Sequence, residues 1–353
     1  MLFDITVQNF IKDNVDQAIV EKTLSPELLA LVYQHKWFNI WVPKQYGGLE
    51  LSLTEGCDLL EALSYEDGGL GWTVTLCSGA NMFAGFISAD DAQDIFTKPN
   101  VCWGGSGQIS GKAHIYDDHY LLEGVWKYAT GAPHLTHFTL NAWVYKDGLQ
   151  VLNDDGTPKF CSFYVNRSDV LIHYDWDTFG LEVTASHSFS LDGVKVNLNQ
   201  SFDISPSHKT SDAAVYDYPF DTFAECTLVV NYIGMFRKYL KVLEDHLLVK
   251  SQDAAWYSRK GKQQLHDCDL VGQHLDKMRV KLKRCIERIA DLPITKEQQM
   301  EITTLTKAIV QFIIAETARL FPYAGITGAQ RDSLINRAFR NLYTASQHAT
   351  LSQ

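Results

Sequence analysis

Between about residues 100 and 205 the sequence offers no stretch suited to a long helix. Short runs rich in Val, Tyr, Phe, Trp and Thr alternate there with Asp117-Asp118, Asp147-Gly148, Asp154-Asp155-Gly156 and Asp192-Gly193. Asp-Gly suits a hairpin corner because glycine accepts positive φ. Turn signals at such intervals predict an antiparallel β barrel or sandwich.

The flanks read differently. Ser25-Pro26-Glu27 is a helix start, with a capping hydroxyl and a proline suited to the first turn. Leu28, Leu31 and Val32 follow at helical spacing, and Pro43 with Gly47-Gly48 breaks the pattern. Thr54 to Tyr65 resumes a helix with Leu59, Leu60 and Leu63 on one side. Beyond the β zone, Val229, Tyr232, Ile233, Phe236, Leu240, Leu243 and Leu247 form an i, i+3/i+4 stripe. Cys268, Val271, Leu275, Met278, Leu282, Cys285 and Ile289 form another. Thr295 and Gln298 make a capping box ahead of a third helix, and a last helix runs from about Arg331 to His348. The reading is therefore α+β in three parts: a helical domain (1–98), a β domain (99–207) and a four-helix bundle (208–353).

Charge and cysteine usage exclude several functions. With 31 Lys+Arg against 42 Asp+Glu, the net charge of −11 offers no basic stripe for nucleic acid or for an anionic membrane surface. Gly68 to Ala89 is uncharged until Asp90, but its glycines, threonines, Ser78 and Asn81 favour a buried helix over a membrane span. The seven cysteines are odd in number, widely spaced and include no C-x-x-C, which excludes a zinc ribbon, disfavours a disulfide framework and predicts a reducing cytoplasm, while Cys268 and Cys285 lie within a core stripe and pack; no metal ligand is expected. His134 and His137 have H-x-x-H spacing without a carboxylate pattern nearby, which is weak support for metal. The glycine-rich run 104–111 lacks the Lys-Ser/Thr ending of a phosphate loop.

Four segments carry a family resemblance. They are Trp41-Val42-Pro43-Lys44-Gln45-Tyr46-Gly47-Gly48 with Glu61-Ala62-Leu63-Ser64; Gly104 to Ala113; Leu122 to Gly131 with His134; and Trp176 to His187 closing with Val194-Lys195-Val196. In this order they resemble the acyl-CoA dehydrogenase superfamily. Trp126, Thr130-Gly131 and His134, together with Arg340-Asn341 and Gln347-His348, are similar to its flavin-dependent two-component monooxygenases, which include 4-hydroxyphenylacetate hydroxylase and dibenzothiophene monooxygenase. Thr130 stands where that branch has Ser, and Asn341 where it has Asp.

The resemblance implies the acyl-CoA dehydrogenase fold, a homotetramer or dimer, and a flavin, FMN or FAD, supplied reduced by a separate flavin reductase. The substrate it implies is a small organic molecule, aromatic or heteroaromatic. Trp103, Ser106, Gly107, Tyr128, Thr130, Gly131 and Lys250 would bind the flavin. Thr184, Ser186 and His187 would lie near flavin or substrate. Thr130 would hold the oxygen-activated flavin, and His348 would take or stabilise a proton. Two alternatives stay open. An acyl-CoA dehydrogenase needs a carboxylate base; the family's usual place for it is the last helix, where residues 333–353 contain no Asp or Glu, and the resemblance to relatives that carry it on the first bundle helix implies Glu225. A scaffold that has lost its flavin is the other; the absence of a Phe-Gly after Lys250 suits it as well as it suits borrowed flavin.

Overall fold

The protein is described by a computed structural model covering residues 3–290 and 293–351. Five helices come first: α1 (Ile5–Glu21), α2 (Pro26–Gln34), α3 (Leu53–Glu66), α4 (Gly68–Asn81) and α5 (Ala89–Phe96). Ser25 caps α2 as its sequence indicates, with Pro26 in the first turn. Ser52 and Glu55 form a capping box on α3. Buried Asp67 accepts the Gly69 and Leu70 N–H groups at 2.9 Å each, opening α4. The uncharged run becomes α4 and a 3₁₀ turn, and among the described residues no helix is long and apolar enough to cross a membrane.

Eight strands follow: β1 (Trp103–Ile115), β2 (His119–Ala129), β3 (His137–Lys146), β4 (Leu149–Gln150), β5 (Phe160–Asn166), β6 (Leu171–Ile172), β7 (His187–Asn197) and β8 (Ser201–Phe202). They form one sheet in the order β6-β7-β2-β1-β3-β5-β8, with β4 paired to β3. The expected antiparallel arrangement is corrected here. β1 and β3 run parallel, so the sheet is mixed, and it is open rather than barrel-like because β6 and β8 end the pairing path. Asp147-Gly148 is the expected hairpin corner, with φ of 51° and 80°. Asp192-Gly193 is not a corner. It is a bulge inside β7, where Leu122 pairs with Val194 but Gly124 with Leu191.

The C-terminal part contains α6 (Phe220–Lys250), α7 (Ala254–Trp256), α8 (Lys262–Arg288), α9 (Lys296–Leu320), α10 (Ile326–Ala329) and α11 (Leu334–Ala345). α6 packs on α8, α9 and α11, and also on α3, so the two helical parts share one core. Buried Glu61 of α3 is neutralised by Arg237 of α6 at 2.6 Å and Arg279 of α8 at 2.7 Å; without both partners its desolvation would be uncompensated.

A buried amide ties the parts together. The Asn231 Nδ2 of α6 donates to Thr75 Oγ1 of α4 at 2.5 Å and to Thr227 O at 3.2 Å. Its Oδ1 accepts from Ser64 of α3. Asn231→Leu leaves the Ser64 hydroxyl buried without this acceptor, so stability should fall by about 2–4 kcal/mol. Urea unfolding of wild type and variant checks this; equal midpoints would contradict it.

Candidate active site

Two neighbouring β-bulges build one wall of the site. In the β1–β3 pairing, Gly105 matches Thr139 but Ile109 matches Asn141, so Ser106, Gly107 and Gln108 leave the register. Glycine is required at 105, where a Cβ would lie 1.8 Å from Thr139 O. In the β2–β7 pairing, Trp126 matches Phe189 but Ala129 matches His187, so Lys127-Tyr128 bulges too. The Ser106 hydroxyl donates to Lys127 O and joins the two. All five bulged residues face a common cavity.

Immediately after the second bulge stands Thr130. Its Oγ1 is 2.9 Å from Ser186 Oγ, which is 2.8 Å from Thr184 Oγ1, which is 2.9 Å from Leu181 O. The carbonyl can only accept, so Thr184 donates to it. Each hydroxyl has one proton; Ser186 therefore donates to Thr184, and Thr130 donates to Ser186. The Thr130 proton is committed, and what its oxygen offers a further partner is a lone pair.

The loop between β6 and β7 forms a second wall with Trp176, Thr178, Phe179, Leu181 and Ser186. Tyr174, Leu181 and Ala185 in this loop have φ of 48°, 55° and 43°, the left-handed region that side chains disfavour. α11 holds it there. Asn341 Oδ1 accepts the Leu181 N–H at 2.8 Å, and Arg340 donates to Phe179 O at 2.6 Å and pairs with Glu182. Asn341 thus serves as a neutral acceptor, and the ion pair of this corner is Arg340–Glu182.

The turn after α11 carries His348 into the same cavity, its ring centroid 5.5 Å from that of Trp72 in an edge-on arrangement. Tyr232 OH donates to Ala345 O beneath this turn. Burial lowers the His348 pKa from its ordinary value, so the neutral imidazole is favoured.

The cavity has a volume of about 1130 Å³, against roughly 300–1,000 Å³ for a usual small-molecule site. It has room for a planar cofactor and a small substrate together. A cluster of Phe83, Phe202, Phe220 and Phe223, with centroids 5.1–6.2 Å apart, forms its apolar side. These phenylalanines, Trp72 and Asn141 were not singled out from sequence, because core packing is the default for aromatics at such spacings. Among the described residues the lining holds one carboxylate, the exposed Asp221, one cation, the exposed Lys127, and the imidazole of His348.

Of the sequence candidates, Ser106, Gly107, Tyr128, Thr130, Ser186 and His348 line this cavity. The others do not. Trp103 is a core residue between Phe96 and Tyr164, at 5.1 and 5.0 Å. Gly131, with φ of 77°, donates its N–H to Thr184 O at 2.7 Å as a turn residue. Thr184 sits behind Ser186, and His187 Nδ1 accepts the Trp176 N–H at 2.9 Å, positioning the loop. Glu225 is turned toward α9, accepting from Thr303 at 2.7 Å, while Phe223, Ala224, Thr227 and Leu228 of α6 face the cavity. Lys250 ends α6, its Nζ 4.8 Å over the Trp256 ring; at 1.5 Å per residue it is roughly 30 Å along the helix from Leu228. The H-x-x-H histidines diverge, His134 stacking on Phe38 and His137 packing on Trp103.

Residues 3–93 match the model of the acyl-CoA dehydrogenase N-terminal domain. The chain is 23% identical over 343 residues to the indole-3-acetate monooxygenase of Pseudomonas putida, spanning 93% of this chain and 84% of that protein. Its structure resembles the HsaA monooxygenase of M. tuberculosis at a TM-score of 0.83 and 20% identity, covering 98% of this chain and 91% of that one. It also resembles XiaF from Streptomyces sp. in complex with FADH2 and glycerol, at a TM-score of 0.78 and 17% identity, covering 98% and 89%. The chain therefore carries an acyl-CoA dehydrogenase N-terminal domain and, throughout its length, the fold of monooxygenases built on it.

The buried histidine has a stability signature. The unfolded chain binds a proton near pH 6.5 and the folded His348 only below that. Its contribution is therefore whole above pH 6.5 and is lost as the pH falls through it. Between pH 8 and pH 5.5, wild type should lose more stability than His348→Gln, read from urea midpoints; parallel losses would contradict this.

Proposed function

We propose that this chain is the oxygenase component of a two-component flavin-dependent monooxygenase. It takes reduced FMN or FAD from a separate reductase and oxygenates a small uncharged aromatic or heteroaromatic substrate. The observation that carries the reading is the hydroxyl chain from Leu181 O to Thr130, which leaves Thr130 an acceptor at the cavity wall. Reduced flavin carries an N–H on the central ring at N5, and oxidised flavin has a lone pair there. An acceptor at Thr130 favours the reduced form. The names of the relatives, monooxygenases and hydroxylases, point the same way.

The residues present fit a flavin. The bulge backbone at Gly107 leaves open space where a Cβ would stand, and Tyr128 offers an exposed ring beside it. Bound reduced flavin would supply the two electrons with which O2 places one oxygen in substrate and the other in water. The protein's part is positional and electrostatic. Thr130 accepts from the flavin N–H. The phenylalanine cluster and Trp72 hold an aromatic ring and exclude water. His348 Nδ1 accepts the Thr350 N–H at 3.5 Å, so the neutral ring carries its proton on Nε2 and would offer it as a hydrogen-bond donor. Among the described residues the apolar side has no buried cation to pair with a carboxylate, which is why the substrate is assigned as uncharged. Glu225 faces α9 and Asp221 is solvated, so the lining supplies no dry carboxylate for thioester dehydrogenation.

The test is anaerobic titration with reduced and oxidised FMN and FAD, then mixing with oxygenated buffer and measurement of hydrogen peroxide and product. Wild type should bind the reduced form more tightly. Thr130→Val should shrink that preference about threefold to tenfold, the worth of one hydrogen bond, and release more peroxide. Glu225→Gln should leave turnover unchanged. Oxidised FAD bleached by acyl-CoA without oxygen, or failure to bind any flavin, would overturn the reading. Gly79 of α4 also lines the cavity, and a Cβ there meets nothing within 4 Å. Gly79→Val should keep the fold, since valine is the better helix residue, yet raise the KM for the aromatic substrate. An unchanged KM would remove Gly79 from the substrate's path.

A further inference from the structure

On the far side of Thr130 from the cavity, three residues distant in sequence come together. Cys77 lies on α4, Cys102 immediately precedes β1, and His134 ends the 3₁₀ turn after β2. One ligating atom from each lies within 4.8 Å of the other two. Both thiols are buried and neither is in a disulfide. Both ring nitrogens of His134 are buried and make no hydrogen bond among the described residues. The His134 ring meets the Cys77 thiol, and an imidazole facing two thiols offers a metal three ligand atoms. The sequence expectation assigned no metal ligand, and this cluster is the place where the fold brings together residues that could serve as one.

We propose that Cys77, Cys102 and His134 form a binding site for a zinc ion, which staples the N-terminal helical part to the sheet. Two thiolates and a neutral imidazole around Zn²⁺ carry no net charge, the state that a buried site tolerates. A monovalent soft ion would leave a buried negative charge, and calcium or magnesium would want oxygen ligands. In a tetrahedral zinc site the ligand atoms stand about 3.5–3.8 Å apart; the set here closes to that with side-chain shifts of about 1 Å.

A second cavity, of about 340 Å³, is lined by Tyr33, Phe38 and Val101 among others. Phe38 stacks on the His134 ring at 5.6 Å, and Val101 is the neighbour of Cys102. The site is also linked to the active-site wall, since Cys77 Sγ donates to Thr130 O at 3.6 Å. Binding removes the thiol proton and this bond with it, so metal occupancy bears on the backbone of the residue that faces the larger cavity. This inference is independent of the proposed function, because its readouts do not require turnover.

The experiment is titration of the chelator-treated, reduced full chain with Co²⁺ and then Zn²⁺ under anaerobic conditions. A thiolate-to-cobalt charge-transfer band should rise to about one equivalent and be abolished by zinc, and the thermal midpoint should rise with Zn²⁺. Cys102→Ser and His134→Ala should each weaken zinc by more than about a hundredfold, since loss of an outer-shell partner alone costs up to that. Cys57→Ser, at a buried thiol outside the cluster, should change nothing. Absence of the cobalt band in wild type, a band that survives Cys102→Ser, or a Cys77–Cys102 disulfide in the protein as purified would each overturn the proposal. The wild-type titration decides even if a variant fails to fold.

Discussion

The architecture of the site depends on one hydrogen bond, from the Leu181 N–H to the side-chain oxygen of Asn341. Leu181 is held at a φ of 55°, a conformation that disfavours a non-glycine residue by about 1–3 kcal/mol. Its carbonyl accepts from Thr184 and from the Trp176 indole at 3.1 Å. A continuous polar line therefore runs from α11, through one strained residue, to three hydroxyls and the cavity wall. Every donor direction along it is set by the carbonyl at its root. Arg340, braced on Asn336, Glu182 and Phe179 O, keeps the helix and loop in the contact that the line requires.

The sheet contributes by failing to be regular. Parallel pairing of β1 with β3 and antiparallel pairing of β1 with β2 place two bulges side by side, and the Ser106 bond across them fixes their relative position. A regular ladder would turn these backbone groups toward neighbouring strands. Here they are left facing a ligand-sized space, the use to which bulges near binding sites are commonly put.

Much of this was legible in the sequence, and the rest was not for physical reasons. Helical and strand periodicities separate the three zones, and the Ser25 and Thr295 caps announce their helices. Alternation with period two says which residues share a face and nothing about which strand lies alongside, so the parallel β1–β3 pair and the open edge were not readable. Thr130, Ser186 and His348 came through resemblance. Glu225 misled because a helix position reveals a face only when its partners are known, and α6 presents one face to the cavity and another to α9. Lys250 is a flavin ligand by resemblance alone, and the length of α6 carries it away from the cavity. Cys77, Cys102 and His134 span 57 residues of chain and meet only through tertiary packing, so no spacing pattern could signal them.

The phenylalanine cluster draws Phe83 from the first part of the chain, Phe202 from the sheet's last strand, and Phe220 and Phe223 from α6. No contiguous fragment contains it. Ligand affinity here is a property of the docked assembly and not of any piece, so partial unfolding of any one part dissolves the whole binding surface. A ligand bound here therefore adds its binding free energy to the stability of all three parts at once, in proportion to the logarithm of its concentration.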